Sequence, residues 1–302
     1  MIYLSLFNGI SAGRLAAVRA GLRFDKYYIA EIDKWANKVS ENHYPDNIQL
    51  GDVTMWRDWD IDWSQVSLVT AGFPCQTWSM AGKQMGDKDP RGALFWTTLE
   101  IIGNVLKHNP DAKYMLENVK MKKEFEEYIT HHTEQALGGV TKTLINSALV
   151  SAQNRNRYYW TNFPVEQPED KGILLRNIID EGYVDREKSY CIDANYFKGG
   201  NPDQYFNKSR RQLVFGSEIY QRGRGFNKGG IFYDKSPTLT SCSWEHNNTL
   251  KHRKLTPTEC ARLQTFPDRW CESVVSNTQA YKCYGNAWTV DVISHIFEEM
   301  NK

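Results

Sequence analysis

Residues 2–13 read Ile2-Tyr3-Leu4-Ser5-Leu6-Phe7-Asn8-Gly9-Ile10-Ser11-Ala12-Gly13. An apolar run up to Phe7 meets a glycine-containing turn, Asn8 to Gly13. Arg14 to Leu22 then has helical spacing, with Leu15, Val18 and Leu22 on one face. This is a strand, a turn and a helix, and the pattern repeats. Tyr27 to Ala30 is a second apolar run and Lys34 to His43 a second helix. Ser67 to Gly72 reads as a buried strand, Leu94 to Leu106 as a helix, and Tyr114 to Leu116 as a strand after the Asn109-Pro110 turn. Short strands alternating with helices predict an open, mostly parallel α/β sheet. Ligands of such sheets bind beyond the carboxyl ends of the strands.

After Pro164 the texture changes. Residues 165–255 are rich in Gly, Asn, Tyr, Arg and Lys and read as a small, irregular, loop-rich module. From Lys198 to Arg253 there are ten basic and four acidic residues, so this segment is +6 in a chain whose net charge is +1. A local basic block in a neutral protein is a footprint for phosphate, though a solvated charged surface gives the same composition. Helical signals return at Thr256-Pro257-Thr258-Glu259, a capping box with proline at the first helical position. Val290 to Met300 reads as a final amphipathic helix. Three segments follow: 1–164, 165–255 and 256–302.

With 41% hydrophobic and 24% charged residues, the composition excludes disordered, collagen-like and coiled-coil chains. No apolar run approaches the ~20 residues of a membrane span, and Met1 to Phe7 lacks an export signal. The six cysteines are far apart with no CxxC pair. Neither a disulfide framework nor a metal cluster is expected, and a cytoplasmic location is.

Several residues at strand ends carry chemistry. The Gly9 turn lets backbone approach a ligand, although such turns are common. Glu31, ending the second strand, suits ribose hydroxyls; alone it reads more readily as a helix-start or surface residue. Asp52, in Gly51-Asp52-Val53, can accept from an adenine amino group or simply close a turn. Cys75 follows Pro74 beyond a buried strand, which makes it a nucleophile candidate rather than a core thiol. Glu117 brings a carboxylic acid to the same sheet edge. Arg155 and Arg157, two apart on an expected strand, share one face.

Together these motifs resemble the C5-cytosine DNA methyltransferase family, in order and over nearly the whole chain. Phe7-x-Gly9 is similar to its cofactor turn, Pro74-Cys75-Gln76 to its nucleophile motif, and Glu117-Asn118-Val119 and Gln153-x-Arg155-x-Arg157 to the next two. Leu255-Thr256 through Arg262-Leu263-Gln264-x-Phe266-Pro267-Asp268 and Gly285-Asn286-Ala287 are similar to the last two. Ser11 and Ala12 depart from the usual paired glycines, Asn8 from the usual Asp or small residue, and Trp288 from a small apolar residue. The turn, Ser151-Ala152 and Trp288 resemble the animal de novo branch, whereas the Arg-Leu-Gln motif resembles bacterial and phage members.

The resemblance implies a Rossmann-like, S-adenosylmethionine-dependent methyltransferase sheet with a small target recognition domain at 165–255. Residues 256–302 then pack back onto the catalytic domain. It implies Cys75 as covalent nucleophile, with Glu117, Arg155 and Arg157 as its catalytic partners. Phe7, Gly9, Ile10, Ser11, Glu31, Ile32, Asp52, Val53, Leu94, Asn286 and Trp288 would form the cofactor site. Gln76, Ser79, Arg210, Arg211, Arg222, Arg224 and Thr240 would meet double-stranded DNA, from which the target cytosine is flipped. The enzyme is expected to be a cytoplasmic monomer of a bacterial or phage-infected cell, nucleoid-associated through DNA. The loop Gln76–Arg91, with little to bury, is expected to close over the site. A transfer-RNA cytosine methyltransferase, an inactive DNA-binding homologue and a nucleotide-dependent oxidoreductase are the competing readings. Pro-Cys-Gln argues against the oxidoreductase, and the presence of Cys75, Glu117 and both arginines against the inactive homologue.

Overall fold

The computed structural model describes residues 1–74, 92–233, 237 and 248–300. The expected loop Gln76–Arg91, and with it Cys75, Gln76 and Ser79, lies outside the described residues, as does Thr240. The main sheet comprises β1 (Ile2–Leu6), β2 (Lys26–Ala30), β3 (Ile48–Gln49), β4 (Val66–Ala71), β5 (Lys113–Val119), β6 (Thr141–Asn146) and β7 (Asn156–Thr161). Their order is β3-β2-β1-β4-β5-β7-β6. All pairs from β3 to β5 are parallel, and β7 is antiparallel to both β5 and β6.

Side chains alternate across this sheet and both faces are buried. Leu4, Leu6, Val69, Leu116 and Trp160 point to one side. There they meet Phe95, Leu99 and Ile102 of α3 (Ala93–His108) and Ile129 of α4 (Lys123–Leu137). Tyr3, Tyr27, Leu68, Met115 and Tyr159 point to the other side, toward α1 (Ala12–Arg19), α2 (Lys34–His43) and the C-terminal helices.

The apolar face expected of the first helix is corrected at Val18, while Leu15 and Leu22 pack half-buried against the core. Val18 is 55% exposed, and α1 ends at Arg19, before Leu22. The buried face is Ala12, Gly13, Ala16 and Ala17. Small residues win here because α1 lies tightly on the sheet; a Cβ at Gly13 would fall on the Tyr3 hydroxyl.

The region 165–255 is irregular as far as α5 (Pro202–Phe206) but then forms a sheet of its own. The strands β8 (Leu213–Gln221), β9 (Gly230–Phe232) and β10 (Asn248–Lys254) pair antiparallel in the order β10-β8-β9. Its small core is Leu213, Phe215 and Tyr205, so only the first part of β8 is buried. That thin apolar content hides the strand period in the sequence.

The chain closes with α6 (Pro257–Leu263), α7 (Asn277–Asn286) and α8 (Val290–Glu299). The capping box forms as read: the Glu259 N–H donates to Thr256 Oγ1 at 3.1 Å and the Thr256 N–H to Glu259 Oε2 at 2.7 Å. The fully buried Glu259 also receives two Arg253 donors at 2.7 and 2.8 Å and the Asp180 N–H at 2.9 Å, tying α6 to β10. Glu259→Ala strips all these donors of their acceptor. It is expected to lower stability by about 3 kcal/mol, read from denaturant unfolding. An unchanged midpoint would show that this junction contributes nothing.

Candidate active site

From β1 the chain runs outward to β2 and β3, then returns to place β4 on the other side of β1. This reversal opens a crevice beyond the carboxyl ends of β1 and β4. A cavity of about 430 Å³ lies there. Phe7, Gly9 and Ile10 line it from the turn after β1, and Glu31 and Ile32 from the end of β2. Asp52 and Val53 enter after β3, Leu94 from the start of α3, and Asn286 from the end of α7.

The first turn is strained. Phe7, Gly9 and Ser11 have φ of 54°, 58° and 64°, a region that costs a non-glycine residue about 1–3 kcal/mol. Hydrogen bonds hold it there. The Gly9 N–H donates to Glu31 Oε2 at 2.8 Å, and the Asn8 N–H to the Ala30 carbonyl at 3.1 Å. Glu31 Oε1 accepts the N–H groups of Ile32 and Asp33, both at 2.8 Å, so three backbone donors fix the carboxylate at the cavity wall. Asp52 Oδ1 is taken by the Thr54 N–H and hydroxyl, both at 2.9 Å. Ser11 is not brought to the cavity. Its hydroxyl is fully buried, 2.7 Å from Ser40 Oγ, and Asn8 donates to it at 3.0 Å. It therefore holds the turn from behind, and the expected cofactor contact is corrected.

Antiparallel pairing brings the start of β7 beside the end of β5, with Arg157 opposite Val119 and Tyr159 opposite Glu117. Period two then puts Arg157 and Glu117 on one face as diagonal neighbours. Arg157 Nε lies 3.0 Å from Glu117 Oε1, and both side chains are nearly buried. Glu117 Oε2 accepts from the Trp288 indole at 2.9 Å. Trp288 is thus a partner of the acid rather than a lining residue of the cavity, a second correction. Gly72, after β4, makes the contact possible: a Cβ there would lie 2.9 Å from Trp288 Nε1 and 3.2 Å from Glu117 Oε2.

Arg155 reaches the cavity wall but is 4% exposed. Its Nη1 donates to the Ile192 carbonyl at 3.0 Å and to Cys191 Sγ at 3.3 Å. Its Nη2 donates to the carbonyls of Gly285 and Ala287 at 3.3 and 2.9 Å. The terminal donors of Arg155 are thus engaged by three backbone carbonyls and the Cys191 sulfur. Burial, then the Arg157 charge, pushes its pKa down; an arginine stays charged regardless.

Sequence reasoning missed several residues here. Cys191 sits against both guanidiniums. Burial raises its thiol pKa, but Arg155 and Arg157 outweigh that and the net shift is downward. No sequence signal marks it. Gln279, Lys282 and Cys283 join Asn286 along the cavity wall. Their i, i+3, i+4, i+7 spacing on α7 is a signal that was available.

The four candidate DNA-reading arginines are not brought together. Arg210 and Arg211 precede β8, whereas Arg222 and Arg224 follow it, about 30 Å along an extended strand. Arg210 pairs with Asp193 at 2.9 Å, and Arg211 donates to the Lys198 carbonyl at 3.4 Å. Arg222 and Arg224 are exposed. Among the described residues, no group of His, Cys, Asp and Glu could hold a metal, and no helix is long and apolar enough to cross a membrane.

Comparison with known proteins places this geometry. The family model described as C-5 cytosine-specific DNA methylase matches residues 1–302. Type II methyltransferase M.NlaX of Neisseria lactamica is 31% identical, covering 98% of this chain and 95% of that protein. Type II methyltransferase M1.ScrFI of Lactococcus lactis subsp. cremoris is 28% identical over 98% of this chain and 77% of its own. Among solved structures, the Entamoeba histolytica methyltransferase EhMeth superposes with a TM-score of 0.70 at 16% identity, covering 99% of this chain and 97% of that one. Spodoptera frugiperda DNMT2 gives 0.64 at 19%, covering 100% and 99%. These two show the shared fold, and the match along the full chain shows the rest: the protein belongs to the C-5 cytosine-specific DNA methylases and is a DNA cytosine-5 methyltransferase.

Proposed function

We propose that this enzyme takes a cytosine flipped out of duplex DNA, adds the Cys75 thiolate to its C6, and methylates C5 with S-adenosylmethionine as donor. The observation that carries this reading is the Glu117–Arg157 pair on the wall of the cavity at the sheet's switch point, with the Trp288 indole donating to Glu117 from outside that wall. Cytosine C5 is too weak a nucleophile to attack a methyl sulfonium unaided. Thiolate addition at C6 turns the ring into an enamine that can. Electron density then builds toward N3, where Glu117 meets the N3 and amino edge. Arg157 and Trp288 hold that carboxyl in place. The target must leave the stack, at a cost of about a few kcal/mol, because C6 is otherwise inaccessible.

The other half of the cavity fits a nucleoside with an amino-acid tail. Ile32 is 75% exposed at the wall, an apolar surface suited to an adenine face, with Phe7 and Val53 also lining the cavity. Glu31 faces the ribose hydroxyls, and Asp52, with Oδ2 not engaged in its turn, faces the adenine amino group. S-adenosylmethionine supplies the electrophilic methyl group when bound there. Glu31→Ala and Asp52→Ala are each expected to weaken cofactor binding by roughly 1.5–3 kcal/mol. Calorimetry showing unchanged affinity for both variants would remove this pocket from the account.

Gly72→Ala probes the acid. The added methyl must displace Trp288 or Glu117, so methyl transfer is expected to fall by about tenfold or more with cofactor affinity retained. A rate equal to the parent's would show that the indole contact does not position Glu117.

The residues 165–255 are proposed as the recognition segment, on their basic excess. Bisulfite sequencing of DNA from cells expressing the protein tests the whole reading. Cytosines protected at one recurring sequence are expected. Unprotected DNA alongside protected transfer RNA would favour the RNA substrate instead.

A further inference from the structure

Phe226 is fully exposed at the tip of the hairpin that joins β8 to β9. The tip is built to be rigid. The Arg224 N–H donates to the Asn227 carbonyl at 2.8 Å, and the Asn227 N–H returns to the Arg224 carbonyl at 3.1 Å, leaving a two-residue loop of Gly225 and Phe226. Gly225, with φ of 59°, takes the first loop position, the II′ pattern that needs glycine there. The neck is packed backbone on backbone: a Cβ on Gly229 would lie 2.6 Å from the Gly223 nitrogen and 2.9 Å from the Arg222 carbonyl carbon. The Asn227 side chain locks it further, donating to Gln221 Oε1 at 2.9 Å and accepting the Gly229 N–H at 2.8 Å. Phe226 therefore cannot fold back to cover itself.

Along the hairpin, between Glu218 and Asp234, the charge is of one sign. Residues 219–233 hold Arg222, Arg224 and Lys228 and no acidic residue. All three cations are exposed. Phenylalanine is ordinarily among the most buried residues, so a fixed, bare ring among three cations calls for a partner with flat π surfaces and negative charge. A nucleic acid has both. Tyr220, Ile231 and Tyr233 of the same hairpin are also more than half exposed, and aromatic rings interleaved with cations suit stacked bases and their phosphates. Extruding a base costs stacking, apolar side chains can wedge between base steps, and an aromatic ring stacks on an exposed base face.

We propose that Phe226 is an aromatic wedge that stacks on the bases of duplex DNA, while Arg222, Arg224 and Lys228 hold the flanking phosphates. The proposal rests on the DNA substrate reading above. It assigns a contact to a residue outside the catalytic cavity.

The test is fluorescence anisotropy with a short fluorescein-labelled duplex of mixed sequence and the full-length protein. Phe226→Ala is expected to bind about tenfold more weakly, with the dependence of affinity on salt unchanged, because stacking releases no counterions. Phe226→Trp is expected to restore binding. The double variant Arg222→Ala, Arg224→Ala is expected to lower the salt slope by about two. The ring is fully exposed, so thermal melts of the Phe226 variants should overlay the parent. Phe226→Ala binding duplex as tightly as the parent would overturn the wedge while leaving the enzyme's DNA reading intact. Loss of affinity confined to a transfer-RNA probe would overturn it in favour of RNA. A parent protein that binds no duplex at any salt would overturn both.

Discussion

Cys75→Ser is expected to bind DNA and cofactor as the parent does and to transfer no detectable methyl groups, a loss of about ten-thousand-fold or more. A serine hydroxyl is not ionised near neutral pH and is a far weaker nucleophile than a thiolate. Without addition at C6 the C5 position remains unreactive. Binding should survive because the cavity proposed for the cofactor is walled by the ends of β1, β2 and β3 and the hairpin proposed to meet DNA is built from β8 and β9. Filter-binding with labelled duplex and a tritiated-methyl assay separate the two properties. Methylation persisting in Cys75→Ser would end the covalent mechanism.

Glu117→Ala is expected to lower the methylation rate by about a hundred- to ten-thousand-fold, the range of a lost general acid. Two effects combine. The cytosine ring loses the group proposed to meet its N3 edge, and the nearly buried Arg157 loses its 3.0 Å partner. Glu117→Gln separates them, since the amide keeps a hydrogen-bonding oxygen for Arg157 but supplies no carboxyl proton. Single-turnover rates with saturating DNA and cofactor should place Gln between Ala and the parent. Equal rates for Glu117→Ala and the parent would remove the acid from the mechanism.

The parallel half of the sheet was legible because its strands are buried on both faces and so read as continuous apolar runs, as Ile2 to Phe7 does. Glu31, Asp52 and Glu117 were legible as residues of the cavity wall because the crevice lies at the strand ends. What the sequence hid depends on distance or on small size. Trp288 meets Glu117 across 171 positions, and no local pattern announces it. The donors of Arg155 are spent on carbonyls of Ile192, Gly285 and Ala287, contributed by two remote segments. The buried face of α1 is alanine and glycine, which a search for large apolar residues passes over. The sheet of β8, β9 and β10 buries so little that its alternation is faint. Lys282 and Gln279 were missed for a different reason, since their helical spacing with Asn286 lay open to reading.

The central claim is that Cys75 bonds covalently to the target cytosine during transfer. A duplex carrying 5-fluorocytosine at the protected site tests it, because fluorine cannot leave as the C5 proton does and the adduct is trapped. Denaturing electrophoresis and mass spectrometry of the digested complex locate the bond. The account predicts an adduct that forms only with S-adenosylmethionine and maps to Cys75. No adduct, or one mapping to Cys191 beside the two arginines, would contradict it.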